Sequence, residues 1–161
     1  MRLAVLVLED EPEVRAALLR DLADIDPPVR IEPAEDADDA RAALAEVVAD
    51  GDLLALVLAD HRLPGTTGVD LLVELHDDPE HGGCRKVLVT GQADLEDTIR
   101  AVNEAGLDRY LTKPWDRDEL RAVVRSELTS FVLAEDLDPL PHLTALDAAR
   151  VMPALRARGE W

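Results

Sequence analysis

Asp60 has the position in this sequence that is most suggestive of chemistry. It follows seven consecutive apolar residues, Leu53–Ala59, and precedes a Pro-Gly pair at positions 64 and 65. A short apolar run that is halted by turn residues is typical of a buried strand in a parallel sheet. A carboxylate at the end of such a strand is held by rigid backbone, yet it faces the crevice where open α/β sheets bind ligands. Asp60 is therefore our first candidate for a reactive carboxylate.

Three other predicted strands also end in polar side chains. Glu9 and Asp10 follow the first strand. Thr90 closes the fourth strand, and Lys113 follows the fifth. Because the carboxyl ends of parallel strands lie side by side, we expect these groups to converge on Asp60. Crowded carboxylates repel unless a cation neutralises them, and Mg²⁺ favours one or two carboxylates together with a phosphoryl oxygen. With a lysine and a hydroxyl donor nearby, the set predicts phosphoryl transfer to Asp60.

These groups can meet only if strands and helices alternate along the chain. Apolar runs predict strands at Leu3–Leu8, Val29–Pro33, Leu53–Ala59, Lys86–Val89 and Arg109–Thr112. Apolar residues at helical spacing predict a helix that Pro12 opens, and further helices over Asp36–Asp50, Val69–His76, Leu95–Ala105 and Asp116–Leu133. Strict alternation with short links predicts right-handed crossovers, and hence an α/β fold with a five-stranded parallel sheet covered by helices on both faces.

Composition excludes several classes of partner. The 161 residues include 35 acids against 17 Lys and Arg, a formal net charge of −18, so the surface should repel phosphate backbones and anionic lipid. No apolar stretch approaches the length of a membrane span, and we expect no signal peptide. A single cysteine is compatible with a cytoplasmic location. Hydrophobic residues make up 47% but aromatics only 2%, so we expect an aliphatic core.

The composition changes near residue 131. We therefore expect one domain over residues 1–130 and a C-terminal extension over residues 131–161. The extension begins with acids and prolines that are typical of a linker. A short helical pattern follows at Ala145–Met152, and Pro153 is expected to open another short segment.

The motifs at the four strand ends resemble those of the receiver domain of bacterial response regulators in two-component signalling. The matching segments are Val7–Pro12, Leu58–Gly65, Val89–Gly91 and Tyr110–Trp115, and they occur in the family's order. The resemblance extends from Met1 to about Ser130. It implies a flavodoxin-like receiver fold with strand order 2-1-3-4-5.

The resemblance also implies a role for each residue that matches the family's motifs. Asp60 resembles the phosphoacceptor, and Asp10 resembles a direct Mg²⁺ ligand with Glu9 acting mainly through water. The metal set is completed by Asp60 and the backbone carbonyl of Arg62. Thr90 and Lys113 resemble the groups that hold the phosphoryl oxygens. Tyr110 resembles an aromatic switch that turns inward, and Lys113–Pro114 resembles a peptide bond that is cis in the family.

Two features depart from the family or vary within it. Glu9 stands where the family more often has Asp, and the extra methylene can shift the metal without abolishing its site. Arg62 and Gln92 occupy variable positions beside the path of the phosphoryl group. We expect the lifetime of an aspartyl phosphate to depend in part on Arg62.

The implied function is a phosphoaspartate signalling switch rather than an enzyme that turns over a metabolite. A sensor histidine kinase or a histidine phosphotransfer protein would donate the phosphoryl group to Asp60. The changed surface should comprise the fourth helix, the fifth strand and the fifth helix, and a downstream protein or a second copy would bind it. Acids outnumber arginines after residue 131, so direct contact with nucleic acid is not expected. The chain could act alone or as the receiver portion of a longer protein.

Other interpretations of the same residues remain open. Asp60 could cap a strand end, Thr90 could cap a loop, Lys113 could be solvated and Tyr110 could simply pack. The chain could then be a degenerate receiver that serves as an unphosphorylated adaptor. A small aspartate-nucleophile phosphatase is a third possibility, but that chemistry requires a second aspartate where this sequence has Arg62.

Overall fold

A parallel sheet forms the centre of the molecule. The computed structural model describes residues 1–25, 28–91 and 95–160. Five parallel strands in these ranges pair in the order β2-β1-β3-β4-β5. The strands are β1 (Leu3–Leu8), β2 (Val29–Ala34), β3 (Leu53–Ala59), β4 (Arg85–Thr90) and β5 (Arg109–Thr112). The predicted α/β fold and its strand order are confirmed.

Helices cover both faces of this sheet. They are α1 (Pro12–Leu22), α2 (Ala37–Ala49), α3 (Gly68–Asp77), α4 (Leu95–Ala105), α5 (Arg117–Ala134) and α6 (Ala148–Ala157), with 3₁₀ turns at Ala23–Ile25 and Leu140–Ala145. Side chains of α1, α5 and α6 share one apolar cluster with the sheet. Side chains of α2, α3 and α4 share the other. The two central strands β1 and β3 are buried almost completely because they lie between these clusters.

The core is aliphatic, as the composition predicts. Both clusters consist almost entirely of Leu, Val and Ala, and Phe131 is the aromatic residue buried among them. Trp115 packs against the first cluster from a partly buried position, and its indole N–H donates to Asp21 at 2.9 Å. Tyr110, by contrast, is 37% exposed. The apolar contacts therefore come mainly from branched and small side chains that fill the layers between sheet and helices.

Helices α2 and α5 each begin one residue after the predicted start, because the predicted first residue is a capping residue. Asp36 precedes α2 and accepts from the amide of Asp39, and Asp116 precedes α5 and accepts from the amides of the next turn. Such residues satisfy amides that the first turn leaves without a partner, while their own backbone is extended. The periodicity of apolar side chains alone cannot separate a cap from the first helical residue.

The C-terminal extension folds back onto α5 and joins the core. The chain reverses at Asp136, whose φ of 51° lies in the left-handed region. Leu146, Val151 and Leu155 are 0–1% exposed and belong to the same apolar cluster as β1 and β3. Arg150 adds polar contacts from α6 to the Ser126 carbonyl and to α5 hydroxyls. The extension thus buries apolar surface on the α5 side of the sheet.

The break expected at Pro153 is absent, and this prediction was wrong. A single helix α6 runs through this proline. Pro153 has no N–H to donate to the carbonyl one turn before it, which normally disfavours the helix interior. Val151 and Leu155, on either side of the proline, are completely buried. Their burial offsets the missing hydrogen bond, and the presence of a proline in the sequence does not reveal this stabilisation.

None of the helices in the described ranges has the length and apolar character needed to span a membrane.

Burial of α6 leads to a prediction about stability. We expect Leu155→Ala to lower the free energy of unfolding by about 2–5 kcal/mol, because it leaves a cavity beneath a fully buried side chain. Leu95→Ala is a matched control because Leu95 is 76% exposed, and we expect it to change stability by about 0.5 kcal/mol or less. Denaturant titration measures both variants. Equal, small effects would show that α6 does not pack as described.

Candidate functional site

The backbone around Asp60 is fixed from two sides. Its amide donates to the Leu8 carbonyl at 2.9 Å, which continues the pairing of β3 with β1. Gly68 packs beneath it so closely that a Cβ at position 68 would collide with the Asp60 carbonyl. The Gly68 amide also donates to the His61 carbonyl at 3.0 Å. Asp60 therefore lies in a short loop that is anchored at both ends, which is how a reactive side chain is held in position.

Register brings the first acidic pair beside Asp60. Leu8 pairs with Ala59, so the residues that follow these two strands emerge next to each other. Carboxylate oxygens of Glu9, Asp10 and Asp60 lie within 4.8 Å of one another. Glu9 is completely buried and Asp60 is 6% exposed. Convergence of oxygen ligands at this edge of the sheet fits a hard divalent cation such as Mg²⁺.

Lys113 reaches the same acids from the end of β5, the edge strand that lies on the other side of β3 from β1. Thr90 pairs with Thr112, and the Lys113 amide donates to the Thr90 carbonyl at 3.3 Å. The peptide bond between Lys113 and Pro114 is cis. The Lys113 ammonium forms an ion pair with Glu9 and lies 3.3 Å from Asp60 Oδ2. It thus connects two carboxylates that otherwise repel.

Burial and charge determine the protonation of this group. Burial raises the pKa of Glu9 from 4.5 to about 7, and the negative charge of Asp60 adds to the rise, although the hydrogen bond from Lys113 opposes it. Burial alone would lower the pKa of Lys113. The hydrogen bond to Glu9 and the charges of Asp60 and Glu9 outweigh it, so the pKa of Lys113 is raised overall. Lys113 therefore remains a cation at neutral pH.

A cleft of about 400 Å³ opens above these groups. It is lined by Glu11, Asp60, Arg62, Thr90, Gly91 and Lys113. Asp60 supplies a carboxylate that can react with an incoming group. The buried hydroxyl of Thr90 and the ammonium of Lys113 can donate hydrogen bonds to an incoming anion. The cleft therefore has the donors that a phosphoryl group requires.

The remaining predicted site residues lie at the margin of the cleft or outside the described ranges. Arg62 is exposed, and its amide lies 3.4 Å from Asp60 Oδ1. Tyr110 is exposed on the edge strand β5 rather than turned into the molecule. Gln92 lies outside the described residues.

Two residues of the site region escaped the sequence analysis. Glu11 directly follows the two predicted acids Glu9 and Asp10 in the sequence, and it lines the cleft. Gly68 supports the Asp60 carbonyl, and its only signal in the sequence was a glycine placed directly before a helical pattern. Close approach of two backbone segments is a common reason for glycine, but a single sequence does not show which segment comes close.

The electrostatics predict a pH-dependent gain in stability from Glu9→Gln when a chelator is present. Ionisation of Glu9 costs stability as pH rises from 4.5 towards 7, because its pKa is raised in the fold. We expect the neutral substitution to raise the free energy of unfolding by about 1–3 kcal/mol near pH 8 and by much less near pH 5. Urea titration at the two pH values measures this. Glu13→Gln, which neutralises an exposed acid, is the control, and a gain independent of pH would contradict the prediction.

Comparisons with known proteins agree with this geometry. The sequence model of the family described as "response regulator receiver domain" matches residues 5–125. The hydrogenase transcriptional regulatory protein HoxA of Cupriavidus necator is 36% identical over 155 residues, which cover 96% of this chain and 29% of HoxA. The transcriptional regulatory protein AruR of Pseudomonas aeruginosa is 39% identical over 157 residues, which cover 98% of this chain and 58% of AruR. The chain thus spans less than two thirds of either relative.

Solved structures lead to the same family. The signal receiver domain of an HD domain-containing protein from Pseudomonas fluorescens superposes with a TM-score of 0.70 at 27% identity, covering 84% of this chain and 93% of that one. A CheY-like response regulator receiver domain protein from Methanospirillum hungatei gives a TM-score of 0.70 at 25% identity, covering 83% and 99%. Since the family match extends over most of the sequence, this chain belongs to the response regulator receiver domain family of two-component signalling.

Proposed function

We propose that this chain is a phosphorylation switch in which Asp60 accepts a phosphoryl group from a phosphohistidine. The donor would be a sensor histidine kinase or a histidine phosphotransfer protein. The observation that carries the proposal is the convergence of Asp60, the other two acids and Lys113 beside a cleft that Asp60 and Lys113 line. Lone acids at strand ends are common, but four chemically matched groups that converge at one edge of the sheet are not expected from packing alone.

The acidic cluster supports a role for Mg²⁺. Asp10, Asp60 and the Arg62 carbonyl would hold the ion directly, and Glu9 would act mainly through water. Two of the three carboxylates are nearly inaccessible to solvent, which makes an unneutralised cluster costly. When bound, Mg²⁺ offsets the negative charge that accumulates during phosphoryl transfer.

The residues of the chain then have separate tasks. A carboxylate oxygen of Asp60 attacks phosphorus, so an O–P bond forms while the N–P bond to the donor histidine breaks. Lys113 already contacts Asp60 and would donate to a phosphoryl oxygen. The Thr90 hydroxyl, from its buried position in the cleft, would donate to another. Both donors stabilise charge that is greatest during the transfer.

Phosphorylation would favour one of two conformations of the surface formed by α4, β5 and α5. Movement of Thr90 towards the phosphoryl group would leave room for Tyr110 to turn inward. Tyr110 can rotate because its side chain is now at the surface. A downstream protein, or a second copy in a homodimer, would bind the changed surface.

The relatives support a place for this chain within transcriptional signalling. Both HoxA and AruR are named as transcriptional regulators, and both extend beyond the part that this chain matches. We propose that this chain supplies the receiver function of such a regulator in the cytoplasm. The net charge of −18 disfavours direct contact of the chain itself with nucleic acid.

Intact mass after incubation with acetyl phosphate and Mg²⁺ tests the phosphoacceptor. We expect the wild type to gain the mass of one phosphoryl group, and Asp60→Asn to gain none because the attacking oxygen is lost. Asp10→Asn should slow formation of the adduct by about tenfold or more, because it removes a proposed metal ligand.

Asp38→Asn is the control for this experiment, since Asp38 is a highly exposed acid on α2. It should behave as the wild type does. Absence of an adduct on the wild type would favour an unphosphorylated adaptor. Sustained turnover of phosphoesters would favour a phosphatase instead.

Arg62 generates a prediction about the lifetime of the adduct. Its long cationic side chain lines the cleft and can shield the aspartyl phosphate from water. We expect Arg62→Asn to accelerate loss of phosphate, measured as decay of the adduct mass after removal of acetyl phosphate. Arg117→Asn, an exposed arginine at the start of α5, should leave the decay unchanged. Identical decay for Arg62→Asn and the wild type would contradict the proposed shielding.

A further inference from the structure

Helix α4 has unusually little apolar packing to hold it in place. Ala101 and Ala105 are its buried residues, and each contributes only a methyl group to the core. Its larger apolar side chains face solvent instead, with Leu95 76%, Ile99 50% and Val102 53% exposed. Because burial of large side chains contributes most to packing, the position of α4 must depend more than usual on polar contacts.

Two such contacts hold α4, one to the loop that follows Asp60 and one to α3. His61 Nε2 lies 3.1 Å from Asp97 Oδ2 in the first turn of α4. Arg100 donates to Asp70 Oδ1 in the first turn of α3, at 2.6 Å. The first contact starts at His61, the residue directly after Asp60, whereas the second starts at Asp70, ten positions after Asp60.

His61 is well placed to respond to changes at Asp60. It lies between Asp60 and Arg62, so its backbone belongs to the loop that would close around the metal and the phosphoryl group. Its side chain is only 12% exposed. Its other ring nitrogen, Nδ1, is buried and has no hydrogen-bond partner among the described residues. An unsatisfied buried nitrogen makes this arrangement costly, which favours exchange with another arrangement when the loop changes.

We propose that the contact between His61 and Asp97 transmits the state of Asp60 to α4. This inference rests on the proposed function, since it requires phosphorylation of Asp60. It adds a second connection to the one through Thr90 and Tyr110, and it starts from the β3–α3 loop instead of from β4. His61 and Asp97 are therefore positioning residues for α4 and do not take part in the transfer itself.

Hydrogen exchange of the amides in α4, measured with and without acetyl phosphate and Mg²⁺, tests the proposal. Intact mass of the same samples reports the extent of phosphorylation. We expect Asp97→Ala to form the adduct as the wild type does but to reduce the response of α4 to phosphorylation by about half or more. Asp97→Asn keeps an oxygen near the imidazole and should retain more of the response.

Asp70→Ala provides the matched control. It removes the contact of Arg100 with α3, which also holds α4 but does not start at the Asp60 loop. We expect it to speed exchange in α4 to a similar extent in both states, so that the response to phosphorylation is kept. The three variants separate a general loosening of α4 from a loss of transmission.

The outcomes separate a failure of the inference from a failure of the proposed function. An adduct on Asp97→Ala with the full wild-type response of α4 would overturn the inference and leave the proposed function intact. Equal losses of response in Asp97→Ala and Asp70→Ala would also overturn it, because α4 would then only be loosened. Absence of an adduct on the wild type would overturn the proposed function, and the inference with it.

Discussion

The ion pair between Lys113 and the acids at Glu9 and Asp60 is the interaction on which the site depends. Parallel strands concentrate polar residues at one edge of the sheet, and here three carboxylates occupy that edge. Two of them are almost fully shielded from water, so their mutual repulsion is only weakly screened. The ammonium of Lys113, which follows the edge strand β5, relieves this repulsion. The fold therefore tolerates a charge density that is unfavourable for stability and useful for binding a cation and an anion together.

Precision at this edge comes from ordinary features of the backbone. The register of β1 with β3 sets the acids side by side, and the register of β4 with β5 sets Lys113 opposite them. Gly68 brings the start of α3 against the Asp60 carbonyl, so the loop between them has little freedom. An aliphatic core on both faces of the sheet keeps these registers in place. Stability and site geometry thus depend on the same strands.

The sequence was most informative where chemistry and strand ends coincide. Apolar runs that stop at Glu9, Asp60, Thr90 and Lys113 were enough to predict which side chains meet, because parallel strands align their carboxyl ends. Contacts between elements without such a rule were not predictable. The pairing of His61 with Asp97 depends on how α4 lies on the sheet, which the alternation of strands and helices does not determine. Helix α6 continues through Pro153 because buried neighbours compensate for the proline, which local propensity does not reveal.

Packing of the C-terminal extension has a consequence for how such a protein can be recombined. The family match ends at residue 125, yet Leu146, Val151 and Leu155 share an apolar cluster with the central strands. A chimera that joins a foreign partner shortly after α5 would lack α6 and would expose an apolar surface on the α5 side of the sheet. The natural unit of exchange is therefore longer than the family boundary, and evolutionary shuffling of this receiver would have to carry the last helix along.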